Sequence, residues 1–365
     1  MPDKLIPALD PLPIPGPPWL FHLLWVVTFL VHLIFVNAVL GGTFLAAAAQ
    51  LKGRRLRKAA VFFVEMNSWT ISLAITFGIA PLLFLQVLYG RFFYTGTILL
   101  AWGWLGMLGL LTVAYYTNYL VKARLRSGGD APVLLVVETL LFLAIAAIQV
   151  AVHLVHVQPS LWATSLRSGW AVLADPSFVP RFLHFVFAAI SMAGALLIRQ
   201  GVKSASKGGD REEADALARF GSKVALWATL LQMAGGFWLL LTLPEKVLKG
   251  LMRGGASTMV PLTIAILLGF GLLVLLAQLG DPLSAPKKAR HVTELLLGAI
   301  VLMVVTRHQV RGLTLALAGP LSVPAVEPQW GIFALFAAAF AVCLGLTIFA
   351  CVRAMKDRPG PGATA

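Results

Sequence analysis

Nine stretches of this chain are apolar over about the length a helix needs to cross a bilayer, roughly 20 residues, and little chain is left between them. They cover approximately 19–50, 60–89, 97–121, 132–157, 181–199, 222–243, 258–279, 292–311 and 330–353. Hydrocarbon offers no water to backbone N–H and C=O groups, so runs of this kind are confined to helices. The expected fold is all-α: a polytopic bundle of about nine transmembrane helices forming one membrane domain over 19–353. A Pro-rich segment, 1–18, precedes it and a tail, 354–365, follows. Charged residues make up 12% of the chain, half the share of an ordinary soluble domain, about 25%.

A net charge of +14 would suit a nucleic-acid binder, but the basic residues lie in short connections between apolar runs. That pattern orients a membrane protein, so the expected partner is lipid and not nucleic acid. Twenty of the 29 Lys and Arg residues follow the odd-numbered spans or lie in the C-terminal tail. The N-terminus is therefore expected on the periplasmic side of a bacterial cytoplasmic membrane and the C-terminus in the cytoplasm. The start of the chain, MPDKLIPALDPLPIPGPPW, has no basic region ahead of an apolar one and does not read as a cleaved signal peptide. It is expected to lie along the membrane surface. The polar stretch 200–219 reads as a solvated loop with a short helix, and 244–257 as a short outer loop. No repeat of 20–50 residues stands out.

Six of the seven histidines fall at or near the outer end of a span. His22 begins span 1 and His32 lies ten residues deeper, about 15 Å along the axis. His153 and His156, at i and i+3, share a face near the end of span 4. His184 opens span 5 and His308 closes span 8, while His291 sits on the cytoplasmic side as an interfacial residue. Imidazoles inside a membrane are costly and mark functional sites, and several on facing helices suit haem iron, which takes neutral imidazole as axial ligand. For each, the plain alternative is hydrogen bonding at the headgroup level, an alternative that His32, the deepest, fits least.

Arg181 precedes His184 by three residues, and Arg307 and Arg311 flank His308. Guanidinium matches carboxylate in a bidentate fork, so these are candidate partners for haem propionates, with Arg91 after span 2 a weaker member. Snorkelling toward the headgroups is their alternative. Met192, Met233, Met259 and Met303 are more simply packing residues than sulfur ligands. The two cysteines, Cys343 and Cys351, lie in the last apolar run, and no C-x-x-C-H occurs. Covalent c-type haem on this chain and a thiolate cluster are thereby excluded.

Three segments carry a family resemblance. LLWVVTFLVHLIFVNAVLGGTFLAA resembles the first helix of subunit I of the cytochrome bd quinol oxidases, with His32 on that family's haem-ligating histidine. TFGIAPLLFLQVLYGRFF is similar to its second helix, and FVPRFLHFVFAAISMAGALL to its fifth, with His184 on the low-spin haem b ligand. The resemblance implies nine spans, an outer N-terminus and haem b. It also exposes departures. Span 3 lacks the family's glutamates. The glutamate ligand of its eighth span is lost near Val304–Thr306, with His308 one turn on. The methionine ligand of its seventh span falls on Leu or Ile. The long quinol-binding loop shrinks to 244–257.

The expected activity is that of a quinol-dependent oxidoreductase subunit. It would be a membrane cytochrome b with two or three bis-histidine haems b, exchanging electrons between the quinol/quinone pool and a periplasmic, multihaem c-type cytochrome or other redox subunit. Oxygen reduction is not expected, because it needs an open iron position and a proton path. The alternative is a bd-type terminal oxidase subunit that reduces oxygen. A cofactor-free transporter or anchor is a third reading, disfavoured because no acid or base other than His32 sits at the midplane. For a quinone site the sequence offers Gln86 near the end of span 2 and Glu245 after span 6, with Glu327 the other outer glutamate. Glu65, Glu138 and Glu294 lie near cytoplasmic ends and read mainly as interfacial charges.

Overall fold

The computed structural model describes residues 6–8, 12–319 and 325–356. The tail from 357, residues 1–5 and 9–11, and the side chain of Cys351 lie outside the described residues. Eleven α-helices follow one another among those described: α1 (Pro18–Leu51), α2 (Arg57–Leu99), α3 (Ala101–Arg126), α4 (Pro132–Val157), α5 (Trp162–Arg167), α6 (Phe178–Ser206), α7 (Arg211–Leu241), α8 (Glu245–Arg253), α9 (Ala256–Ala277), α10 (Pro286–Leu315) and α11 (Trp330–Lys356). All but α5 and α8 are long, and each long helix coincides with one of the nine apolar runs. Seven of them are apolar and long enough throughout to cross a membrane: α1, α2, α4, α6, α7, α9 and α10. The hydropathy of α3 is diluted by glycine, tryptophan and tyrosine. In α11 the apolar stretch is Trp330–Cys343. "Outer" below denotes the end of the bundle away from the Lys/Arg-rich connections.

Three boundaries depart from the sequence reading, each for a local reason. The expected loop 200–219 is mostly helix, because α6 continues to Ser206 and α7 starts at Arg211. Asp210 caps α7 by accepting from the Glu213 backbone N–H at 3.0 Å, which satisfies a first-turn donor that would otherwise stay open. The expected outer loop 244–257 holds α8, whose Val247 and Leu251 are buried while Lys249 pairs with Glu245 one turn away. Its polar face hides that helix from an apolar-run search. Finally, α2 runs past residue 89 to Leu99, bending at Tyr89, where φ is −137° and ψ is 29°. Beyond the bend, Gly96 lies directly on the His156 ring, where a Cβ would collide. A helix of 43 residues spans about 65 Å if straight, twice the hydrocarbon thickness, so a bend is needed to keep it with the bundle.

Two antiparallel pairs, α1 with α2 and α6 with α7, form the most closely packed part of the molecule. Small residues let the backbones approach, as membrane helices require when no hydrophobic force separates protein from lipid. A Cβ at Gly194 would come within 2.8 Å of the Ala225 amide nitrogen, and Gly41 of α1 abuts the Ala189 carbonyl of α6. Each pair also has a buried polar clasp. Asn67 donates to Thr43 at 2.9 Å in the first, and the Ser191 and Thr229 hydroxyls lie 2.7 Å apart in the second. On the outer side, residues 12–17 are held against the segment before α11. The Ile14 amide donates to Ala325 at 2.8 Å, and the Glu327 amide to Ile14 at 3.0 Å.

Candidate functional site

The same arrangement occurs once in each helix pair. In α1, His32 Nδ1 lies 2.8 Å from the Ala74 carbonyl oxygen of α2. In α6, His184 Nδ1 lies 3.0 Å from the Gln232 carbonyl oxygen of α7. A carbonyl only accepts, so Nδ1 carries the proton and donates in both. Four residues beyond each accepting carbonyl stands a glycine. A Cβ at Gly78 would approach the His32 ring to 2.9 Å, and one at Gly236 the His184 ring to 3.1 Å. One turn of the facing helix thus supplies both the anchor and the space for the ring. The proton on Nδ1 leaves the Nε2 lone pair outward, the tautomer and orientation that metal-ligating histidines show. Because Gly41 meets Ala189, the helical rise puts the two imidazoles within about 6 Å of one another in depth. Each is tied to its own neighbour helix, His32 to α2 and His184 to α7.

From His32 to the outer surface runs a continuous stack of rings. His32 faces Phe29 at 6.2 Å between centroids, Phe29 stacks on Trp25 at 4.8 Å, Trp25 on His308 at 5.0 Å, and His308 meets His22 edge-on at 4.9 Å. His22, Trp25, Phe29 and His32 recur at helical spacing on one face of α1. Successive turns of α10 lay guanidinium groups on the same rings: Arg311 sits 4.0 Å over Trp25 and Arg307 5.1 Å over Phe29. Such stacking favours arginine over lysine. Arg181 at the start of α6 completes a cationic layer, and its electrostatic partner is Asp175 in the preceding loop.

This layer is rich in polar atoms without a hydrogen-bond partner among the described residues. They are Arg181 Nε, Arg307 Nε, Arg311 Nη1, His22 Nδ1 and His308 Nδ1. Buried polar groups are normally bonded, so such a concentration calls for an explanation. Among the described residues no carboxylate pairs with Arg307 or Arg311, and the acids carried by the long helices lie toward their inner ends: Glu65, Glu138, Glu212, Glu213, Asp215 and Glu294. A haem carboxylate would supply the missing acceptor. With imidazoles anchored through Nδ1 and orphaned guanidinium donors in the same layer, the chemistry of these residues fits a haem.

The other expected residues are arranged differently. His153 and His156 are buried at the outer end of α4. His156 Nε2 is 3.2 Å from the Thr97 hydroxyl and its ring packs against Phe93 at 4.8 Å, so the nitrogen that stays open in His32 and His184 is engaged. Both histidines line a small recess with Tyr89 and Arg311. Arg91 stacks on its neighbour Phe92 at 4.9 Å. Gln86 accepts from the Tyr94 hydroxyl at 3.2 Å on an exposed face of α2. Glu245 is exposed and paired with Lys249, and Glu327 is in the strap against Ile14. Met192 is buried in the core, Met233 points at Gly269 and Met259 is exposed. His291 shares Glu294 with Arg290 on the inner side. Among inner acids, Glu138 is fully buried and accepts from Asn118 at 3.1 Å, an interior position rather than an interfacial one. Sequence reasoning missed Gly78, Gly236, Trp25, Phe29 and Tyr89. Glycine inside a long apolar helix is a usable signal, since it weakens the helix unless something must come close.

No protein-family model matches the sequence, and no curated protein does. In structure the chain is similar to a chain of the bd oxidase from Geobacillus thermodenitrificans, with a TM-score of 0.65 and 13% sequence identity over 94% of this chain and 99% of that one. The two share the same membrane-helical fold over nearly their whole lengths.

Proposed function

We propose that this chain is a membrane cytochrome b, a quinol-dependent oxidoreductase subunit that exchanges electrons between the quinol/quinone pool and an acceptor on the outer face. The duplicated anchor carries the reading: two imidazoles, each with Nδ1–H on a carbonyl, Nε2 outward and a glycine beside the ring. Bound haem b supplies one-electron exchange at its iron. His32 and His184 serve as ligands, one to each of two haems. Their carbonyl partners hold the rings in one tautomer and raise the basicity of Nε2. Arg307 and Arg181 meet propionate carboxylates, with Arg311 and Arg91 further along the same layer. His22, His308 and His153 are the available second ligands, and His156 could join them only by giving up its contact with Thr97. The ring stack from Phe29 to His22 keeps water from the upper side of the His32 site. The acceptor is a c-type cytochrome or another redox subunit docking on the outer face, on the side of the bundle where the cationic layer lies.

Oxygen reduction is the second reading, favoured by the likeness to a bd oxidase. Against it stands the distribution of acids, since none in a long helix lies in the outer part to ligate iron or deliver protons there. A reduced-minus-oxidised spectrum and pyridine haemochrome of the purified protein test both. Two haems b per chain, with no haem d band and no quinol-driven oxygen uptake, is the expected result. A protein without haem refutes the reading, and oxygen uptake moves it to the oxidase.

A further inference from the structure

We propose that the exposed face of α3 is where two copies of this chain meet, their α3 helices running side by side across the membrane. The proposal goes beyond the cytochrome reading and does not rest on it. Six exposed residues of α3, Trp102, Leu105, Gly109, Thr112, Tyr116 and Tyr119, recur at alternating steps of three and four. That is the heptad spacing of a helix that lies along another at a small crossing angle. Large side chains stand at both ends of the row and small ones in its middle. A Cβ at Gly109, or at Gly106 beside the row, would meet nothing of the chain itself within 4 Å. A neighbouring backbone can therefore come close where the row is thinnest.

The polarity of this face at depth argues against lipid as its cover. Trp102 and Arg124 mark the outer and inner interfaces of the span, which puts its centre near residue 113. Thr112 and Tyr116 lie within about 5 Å of that centre along the axis, and Tyr116 is 67% exposed. Beside them the Tyr115 hydroxyl lies 2.7 Å from that of Ser72 in α2 and 3.2 Å from that of Tyr119, both pairs on the exposed side. Tyrosine at a lipid contact belongs at the headgroup level, and a phenol here cannot reach across a hydrocarbon half-thickness of about 15 Å. The exposed face of α9 is made differently, with Ile264, Leu267, Phe270 and Val274 for lipid to cover. The α3 face is thus suited to protein, and it fits a second copy of itself. An isologous contact sets one patch against the same patch, so the patch must carry both members of each pair. Hydroxyls both donate and accept. At the inner rim Glu65 of α2 and Arg126 of α3, both largely exposed and 3.4 Å apart, give each copy an acid and a base to exchange. Two copies inserted in the same orientation run their α3 helices parallel and match the rows level by level.

The test is cysteine cross-linking of the full chain in its native membrane, with Cys343 and Cys351 replaced by alanine. Leu105→Cys, Thr112→Cys and Tyr116→Cys probe the row, and Leu267→Cys on α9 is the lipid-facing control. Two thiols bridge only when their Cα atoms come within about 7 Å. Mild oxidation should therefore give a reducible band at twice the chain mass for the row variants and none for the control. Gly109→Leu adds a side chain where the chain itself leaves open space. It should abolish the Thr112→Cys band and halve the protein mass measured by light scattering in mild detergent, while circular dichroism shows the same helix content. Equal cross-linking from Leu267→Cys would mean random collision and overturns the proposal. So does a single-chain mass for the unmutated protein, or a dimer that survives Gly109→Leu. Row cysteines that join a different polypeptide, seen as a band of another mass, give the face to a foreign subunit and overturn the second copy. None of these readouts depends on haem, so the cytochrome reading stands or falls separately.

Discussion

The two ends of the bundle use the same cationic residues in opposite ways. At the inner end, charges are answered by the chain itself. Arg57 donates to the Leu125 and Gly129 carbonyls at 2.8 and 2.9 Å, Lys58 pairs with Glu213, and Arg126 lies 3.4 Å from Glu65. Arg219 bridges Asp215 at 2.7 Å and Asp281 at 3.7 Å. The Asp281 carboxyl is held below its ordinary range by the Leu283 backbone N–H and, further down, by Arg219. At the outer end, Arg307 and Arg311 lie on aromatic faces with nitrogens unmet. Inner orphans exist, among them one oxygen each of Asn67 and Glu138 and the Ser222 and Thr293 hydroxyls, but none is a nitrogen of a cationic side chain. The difference teaches that the inner basic residues tie helix ends and loops together, whereas the outer ones stack on aromatic rings and keep nitrogens unmet among the described residues.

Removing the outer imidazoles should have the largest effect. His32→Ala and His184→Ala are each expected to lose one of two haems, halving the pyridine haemochrome value while the other haem keeps its spectrum. If either variant loses both, the two helix pairs are not independent sites. Next come the glycines. Gly78→Ala or Gly236→Ala forces a Cβ to within 2.9 or 3.1 Å of an imidazole, and overpacking of this kind costs about 1–3 kcal/mol. The expected outcome is a broadened or shifted haem band for the affected site alone, and an unchanged band would remove the glycine from the anchor.

Arg307→Met takes a positive charge from beside the proposed propionates and should lower one midpoint potential. Loss of about 1.4 kcal/mol would appear as roughly 60 mV for a one-electron couple. The sign follows because a nearby cation favours the reduced, less positive haem. Redox titration gives the value, and a rise would contradict the propionate role. Smallest of all, Arg126→Ala or Lys58→Ala at the inner end should change thermal unfolding by no more than about 1 kcal/mol and leave both haem bands alone. A spectral change from either would erase the contrast between the two ends.

The linear order of residues determined the nine long helices, which end carries the basic connections, and that imidazoles and arginines collect at the other end. These follow from hydropathy and local spacing, which act over one or two turns and need no neighbour. His32 and His184 were readable as special from their depth and sequence context. What makes them alike was not readable, because the anchor joins residue 32 to 74 and residue 184 to 232, separations that only helix packing closes. The polar face of α8, the bend at Tyr89 and the rings between Arg307, Arg311 and α1 were hidden for the same reason. A guanidinium among apolar residues looks the same in sequence whether it reaches to headgroups or stacks on a tryptophan. Which of the two it does depends on whether another helix presents a ring at the right height, and that is decided by the tertiary fold.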